Sequence, residues 1–552
     1  MADELHPEGE RLFQPPEELD KTSSGASNRT EIMRPTVDSF DERLERVRSR
    51  QYTSQSMPPV RKRRRSWIVS LVAMVVLALT CALVVLSLFL PPFAKDNPIA
   101  DALESEDAFI ALNSEDTYAE QDNFRVEVHP GDPGVDFAVA LNRVSAQDYR
   151  DGNVPSENWS CPALETLPEF FTETGDVYSI DSQGTAPMRV GLKIPEQEHD
   201  LYGWYAGAWI FLPSQLAAEG QSRVTDVPVL PECIVAGMVK NAMPDLSVNL
   251  DLGQTRSEAI TMNRLFIRGM QPTVQGNLQG VLPADTPTNP GYPVIPLVSN
   301  YTAPEVIDAV TVEAILRSPE MRLQHSAHIA GFAEANNYPA VALDYREIPP
   351  ELRNQFSDLV KNVSRMLKSQ GRALIVVVPP AVFEEGWQTG AYDWRTLGLL
   401  VDELIVRLPL NPDAYLPNGE VDAMLRWAVG EVSRTKLSLA VSALSIQTAP
   451  GSPSRLVGMK TMSEEEGLPY QVKTGRDETV QSSFVTYSDE QGQPLRSFWL
   501  TTASALLYRM QKAEQFNLKG VLVADVFAEG VDGSIVDALV AYLGGTTLET
   551  DA

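Results

Sequence analysis

Between Trp67 and Leu90 the chain runs WIVSLVAMVVLALTCALVVLSLFL without one charged residue. At about 1.5 Å of rise per residue, a helix of this length covers a hydrocarbon core of ~30 Å. A segment this apolar divides the rest of the chain between two compartments. Arg61-Lys62-Arg63-Arg64-Arg65 stands immediately before it, and Pro91, Pro92 and the acidic stretch from Asp101 to Asp122 follow. The positive-inside bias then predicts a single-pass cell-membrane protein, N-terminus cytoplasmic and C-terminal domains extracytoplasmic. A cleaved signal peptide starts near the first residue and has a shorter apolar core, whereas this segment begins after more than sixty residues.

The anchor sets the remaining boundaries. Residues 1–65, rich in Pro, Ser, Glu and Arg, have too few apolar positions to offset chain entropy and are expected to form a disordered cytoplasmic tail. Residues 66–93 form the transmembrane helix, and 94–123 read as an acidic linker that lifts the folded part off the membrane. Roughly 430 residues remain outside, enough for two or three units of about 100–200 residues. The formal net charge of −29, from 74 acidic against 45 basic residues, argues against a nucleic-acid partner. Of the three cysteines, Cys81 lies in the spanning helix, which leaves Cys161 and Cys233 as the possible disulfide. Such a bridge would add on the order of 4 kcal/mol on the chain-entropy model. Two separate buried thiols are the alternative.

From 124 to 252 short alternating runs are broken by Gly, Pro and Asp: FRVEVHP, VDFAVALNRV, MRVGLKIP, GAWIFLP, CIVAGMV and LSVNLDL. Period-two alternation without a competing helical stretch predicts an all-β sandwich domain. The cluster Leu201-Tyr202-Gly203-Trp204-Tyr205 with Trp209 reads as sandwich core, with a sugar-stacking platform as the alternative. From 253 to 545 continuous apolar runs alternate with helical segments, the grammar of parallel strands covered by helices. The strands are Pro293–Val298, Ala340–Tyr345, Ala373–Pro379, Glu403–Leu410, Leu437–Leu444 and Gly520–Phe527, with helices over Val312–Asn336, Pro350–Gln370, Gly419–Thr435 and Phe498–Phe516. Two weaker runs, Arg264–Ile267 and Leu278–Leu282, complete eight strands. That count predicts an α/β (β/α)8 TIM barrel, followed by a short tail, 546–552.

The segment NYPAVALDYREIPPELRNQFSDLVKNVSRMLKSQGRALIVVVPP resembles the fourth strand, fourth helix and fifth strand of glycoside hydrolase family 18, the chitinase-like barrels, particularly the bacterial members related to spore-cortex hydrolases. SFWLTTASALLYRMQKAEQFNLKGVLVADVF is similar to that family's last helix and eighth strand, and LVDELIVRLPL falls where its sixth strand would be. The resemblance implies a motif D-x-x-D-x-D-x-E at the end of strand four, whose final Glu protonates the glycosidic oxygen. Here its positions fall on Pro339, Ala342, Asp344 and Arg346, so only Asp344 is retained. An arginine stays protonated near neutral pH and cannot stand in for a carboxylic acid. Strand alternation turns 342, 344 and 346 to one face and Glu347 to the other, so Glu347 is a weak alternative acid that requires a bulge. The family's Met-x-Tyr-Asp on strand six falls on Leu408-Pro409-Leu410, and its strand-eight Trp falls on Ala524, beside Asp525.

The resemblance therefore implies a degenerate catalytic motif on a retained barrel. The loop FEEGWQTGAYDW offers Glu384, Glu385, Trp387, Tyr392 and Trp394, and Tyr345 and Tyr415 lie at neighbouring strand ends. With Arg346 and Asp525 these are the candidate glycan-binding groups, although Tyr392 and Trp394 read equally well as packing for the next helix. Arg346 with Asp344 reads alternatively as an ion pair plugging the old site. No phosphate loop, His-Glu-x-x-His or Gly-x-Ser-x-Gly motif is present, so no cofactor is expected. His325 and His328 share a helix face but lack a third ligand, and read as residues of a surface helix. The Asn-x-Ser/Thr triplets at Asn158, Asn300 and Asn362 carry little weight if the host is bacterial, as the resemblance implies. The expected function is a membrane-anchored pseudoenzyme that binds glycan or cell-envelope polysaccharide. An active glycosidase with displaced carboxylates (Glu347, Glu384 or Asp525) and a protein-interaction module are the alternatives.

Overall fold

The computed structural model describes residues 109–545, apart from 155–158, 160, 164–165, 240–243, 304–305 and 464–470. The expected cytoplasmic tail, spanning helix and first part of the acidic linker lie outside these residues. Among the described residues no helix is long and apolar enough to cross a membrane.

Alternation builds the N-terminal unit. In Phe124–Val128, Phe124, Val126 and Val128 are buried while Arg125 and Glu127 are not. A six-stranded sheet runs in the order Ile110–Ala111, Val135–Val144, Phe171–Thr185, Cys233–Val239, Asp200–Tyr205, Ala208–Phe211. A five-stranded sheet runs Tyr118–Gln121, Phe124–Val128, Val190–Ile194, Arg223–Val227, Gln215–Leu216. Their inner faces share one core that includes Phe124, Phe137, Tyr178, Leu192 and Ile234. Each such side chain removed from water contributes about 1.5–3 kcal/mol. The sandwich starts before residue 124: Ile110 pairs with Val139 and Ala119 is buried in the core, so part of the expected linker is folded. Cys161 and Cys233 are joined, with Cα atoms 5.6 Å apart, closing a loop across 72 positions.

The second unit is a closed barrel of eight parallel strands: Asp245–Leu250, Arg264–Pro272, Val294–Ser299, Ala340–Asp344, Ala373–Val378, Glu403–Arg407, Leu437–Ser442 and Gly520–Ala524. The first strand corrects the sequence reading. LSVNLDL had been placed in the sandwich, but it pairs in parallel with Arg264–Ile267 on one side and Gly520–Val523 on the other. It is buried on both faces, so its alternation carried no information about which sheet it joins. Leu278–Gly280, expected as a barrel strand, is instead the second arm of a hairpin on strand two.

Three further differences have local causes. The helix expected over Val312–Asn336 is two helices, Ala309–Arg317 and Pro319–Ala335, because Ser318 is extended ahead of Pro319 and its side chain caps Met321 N–H. The last long helix starts at Ala503 and not at Phe498. The residues before it belong to an unexpected five-stranded antiparallel sheet, Ser445–Ala449, Ser452–Val457, Gln471–Asp477, Ser482–Ser488 and Pro494–Trp499, inserted after strand seven.

Sandwich and barrel are bonded together. Asp200, 3% exposed, takes Arg434 Nε at 3.0 Å, and the Tyr202 and Ser433 hydroxyls lie 3.1 Å apart. Gln215 Nε2 donates to Trp427 O and to Glu431 Oε1, which Arg395 also holds. Ser214 N–H donates to Gly430 O, and a Cβ at Gly430 would lie 2.5 Å from Ser214 O, so the helix meets the sandwich where a side chain is excluded.

Candidate binding site at the barrel mouth

Inside the barrel Phe266, Leu297, Ala342, Ile405, Ala440 and Leu522 form a compact interior core. Their neighbours, such as Leu343, Val406 and Val523, pack against the helices. Two residues beyond each interior position the chain reaches the C-terminal rim, where barrel proteins carry their functional groups. Asp344, Arg407, Arg268 and Ser442 occupy those places.

Asp344 is 3% exposed and bears three donors: Tyr301 Oη at 2.7 Å and Arg346 Nη2 at 3.1 Å on Oδ2, and Arg407 Nη1 at 2.9 Å on Oδ1. Burial alone would raise its pKa, but Arg407 and Arg346, with the Tyr301 hydrogen bond, outweigh it and hold the carboxyl below the usual range. The Arg346 guanidinium lies 3.6 Å from the centroid of the Tyr301 ring. Its backbone is fixed by Asn300, which accepts from Arg346 N–H at 2.8 Å and donates to Arg346 O at 3.0 Å.

A second cluster adjoins the first. Arg268 donates twice to Asp251, at 2.9 and 2.6 Å, and its guanidinium lies 4.8 Å from the Tyr301 centroid. Asn249 donates to Asp251 and accepts from Asp525 N–H. Asp525 Oδ2 takes the Ser442 hydroxyl at 2.6 Å. Burial raises the Asp525 pKa, and the Ser442 hydrogen bond only partly offsets it.

The expected residues divide into three groups. Asp344, Arg346 and Asp525 are brought together at the mouth. Tyr345, Tyr392, Trp394 and Tyr415 are not available to a ligand, because each is 5% exposed or less. Tyr345 faces outward, its hydroxyl 2.5 Å from His325 Nε2, and Tyr392 Oη donates to Tyr345 O. Trp394 packs on Trp427, and Tyr415 Oη donates to Pro409 O. The cause for Tyr345 is the alternation that turns 344 and 346 inward. Trp387 is half-buried, stacked 5.7 Å from Trp427 and edge-on to the exposed Phe383. Glu384, Glu385 and Glu347 are exposed, Glu347 in a left-handed backbone conformation.

Of the expected sandwich-core cluster, Leu201, Tyr202 and Tyr205 are buried, while Trp204 and Trp209 are half-buried and pack 5.2 Å apart. His325 is fully buried, which corrects the surface-helix reading: its Nδ1 and that of His328 both approach the Gly276 carbonyl, at 2.8 and 3.0 Å. No group of metal-binding side chains occurs among the described residues. The sequence reading missed Arg407, Tyr301, Arg268, Asp251 and Asn300. For Arg407 and Arg268 the signal was present, since each lies two residues past an interior position of its own strand.

No family model matches the chain. It is 20% identical over 221 residues to a Bacillus subtilis (strain 168) protein, YdhD, named as a candidate sporulation-specific glycosylase. The match takes in 38% of this chain and 52% of that protein, so the chain spans about half the length of the curated relative it matches. Among solved structures it is similar to a chitinase from Chromobacterium violaceum ATCC 12472, with 19% identity and a TM-score of 0.44. That alignment covers 54% of this chain and 98% of the chitinase. It is also similar to the spore cortex-lytic enzyme SleL of Bacillus megaterium QM B1551, with 14% identity, a TM-score of 0.43 and coverage of 59% and 80%.

Proposed function

We propose that this chain is a membrane-anchored, extracytoplasmic barrel of the chitinase-like kind that binds envelope glycan and does not cleave it. The observation that carries the reading is Asp344 bound to Arg346, Arg407 and Tyr301. General acid catalysis needs a carboxyl whose pKa lies near the working pH and whose proton can reach the leaving oxygen. Asp344 is held below the usual range, and Arg346 occupies the place the resemblance gives to the proton donor. The Cys161–Cys233 bridge supports an oxidising compartment, in keeping with the charge bias around residues 67–90. The similarity to a protein named as a candidate sporulation-specific glycosylase supports a glycan as the ligand class.

One observation favours a second reading. Asp525 is a half-buried carboxyl with a raised pKa, the environment that suits a proton donor, and hydrolysis through it is the alternative. The test is a pull-down of the full chain on insoluble chitin and on peptidoglycan, with soluble sugars assayed in the same tube. Binding without release is the expected outcome. Release that disappears in Asp525→Asn would establish the hydrolytic reading instead.

A further inference from the structure

We propose that Arg346 and Arg407 form an anion subsite, so that the glycan taken at the mouth is an acidic polysaccharide bearing carboxylate or phosphodiester groups. This rests on the glycan-binding reading above and names the class of glycan.

Two guanidiniums share one carboxylate. Arg407 contacts Asp344 through Nη1, and Asp344 is its one hydrogen-bond partner among the described residues. Arg346 contacts Asp344 through Nη2 and leaves its buried Nε without an acceptor. A guanidinium carries five N–H donors in a planar fork that matches carboxylate and phosphate oxygens. Both side chains remain reachable, Arg346 at 21% and Arg407 at 24% exposure. The neighbouring acids do not complete the pairing by contact: Asp251 is taken twice by Arg268, and the Asp525 carboxylate takes the Ser442 hydroxyl and acts on Arg346 only from beyond ion-pair distance. The Asp344 group therefore holds one positive charge in excess, partly removed from water, a costly arrangement that an incoming anion relieves.

The rest of the chain does not explain this charge. With a formal net charge of −29 the protein repels an anionic polymer at long range. Affinity must then come from short, directed contacts. The Tyr301 ring under Arg346 and the Asn300 bonds to its backbone hold that guanidinium in place before a ligand arrives. In this arrangement Asp344 is an internal competitor, occupying the donors that an external carboxylate or phosphate would take.

The test is calorimetric titration of the full chain in neutral detergent with four probes: tetragalacturonate, its methyl ester, a glycerol-phosphate oligomer and chitotetraose. At least one acidic probe is expected to bind tenfold or more tightly than both neutral ones, and the one that does so separates carboxylate from phosphodiester recognition. Arg407→Gln should weaken that binding tenfold or more. Asp344→Asn should tighten it, an effect that a purely structural ion pair would not give. If Arg407→Gln does not fold, Arg346→Lys keeps the charge, loses the fork and should also bind more weakly. Equal binding of neutral and acidic probes would overturn the subsite and leave the glycan reading standing. Acidic binding indifferent to the Arg407 and Asp344 variants would also overturn it. Binding of none of the four, with no retention on chitin or peptidoglycan, would overturn both readings.

Discussion

Asn300 illustrates how much of the mouth depends on single side chains that hold a neighbour's backbone at two points. It satisfies both the N–H and the carbonyl of Arg346, so Asn300→Ala leaves two backbone groups without partners. At about 1–3 kcal/mol for each stranded group, the loss in urea unfolding should be on the order of 2–6 kcal/mol. His325 sets a pH dependence. Burial pushes its pKa down to about 4, helped by the neighbouring His328 and only partly opposed by the hydrogen bond to Gly276 O. The unfolded chain binds the proton near pH 6.5, so the contribution is complete above that value and is lost as pH falls towards 4. It is worth up to about 3 kcal/mol, and His325→Asn should flatten this part of the stability profile. At this scale the sequence was only partly legible. The resemblance placed Asp344 and Arg346, and the alternation that accounts for Arg407 equally excludes Tyr345, whose ring had been counted as a ligand group. Asn300 is a bend and Tyr301 opens the three-residue strand Tyr301–Ala303, too short for periodicity to assign a direction to either side chain.

Secondary elements were legible where one face differs from the other, and less so where both are buried. Seven of the eight barrel strands correspond to apolar runs singled out in the sequence, but Asp245–Leu250 was assigned to the sandwich because its neighbours there alternate in the same way. The inserted sheet escaped because Gln471–Asp477 is mostly exposed and has few apolar residues to mark it. The helix Glu420–Glu431 offers a test of how the two units meet. In an exposed helix Gly→Ala stabilises by about 1 kcal/mol, whereas Gly430→Ala would press a methyl group onto Ser214 O. The sign should reverse, with a loss of about 1–3 kcal/mol in denaturant unfolding, as overpacking produces. A gain would mean that the two units separate at that contact.

Across the molecule, charged groups close the barrel at both ends. At the rim opposite Asp344, the fully buried Glu403 takes Arg264 twice, Ser438 at 2.7 Å and Lys519 at 3.2 Å. Glu403→Gln leaves two cations with a neutral partner and should cost about 3–5 kcal/mol, read as a lower unfolding midpoint with the mouth chemistry unaltered. In the sandwich, reduction of Cys161–Cys233 should remove on the order of 4 kcal/mol, measurable as a reductant-dependent fall in stability. The strand Asp245–Leu250 has a consequence for the order in which the chain acquires structure. Its two neighbours are Arg264–Pro272, which follows at once, and Gly520–Ala524, which is made last. A chain emerging from its N-terminal side can finish the sandwich early, but the barrel stays an open sheet with two raw edges until residue 520 arrives. Completion of the chain must therefore outrun the pairing of those edges with other chains, and any truncation ahead of Gly520 yields a template for aggregation.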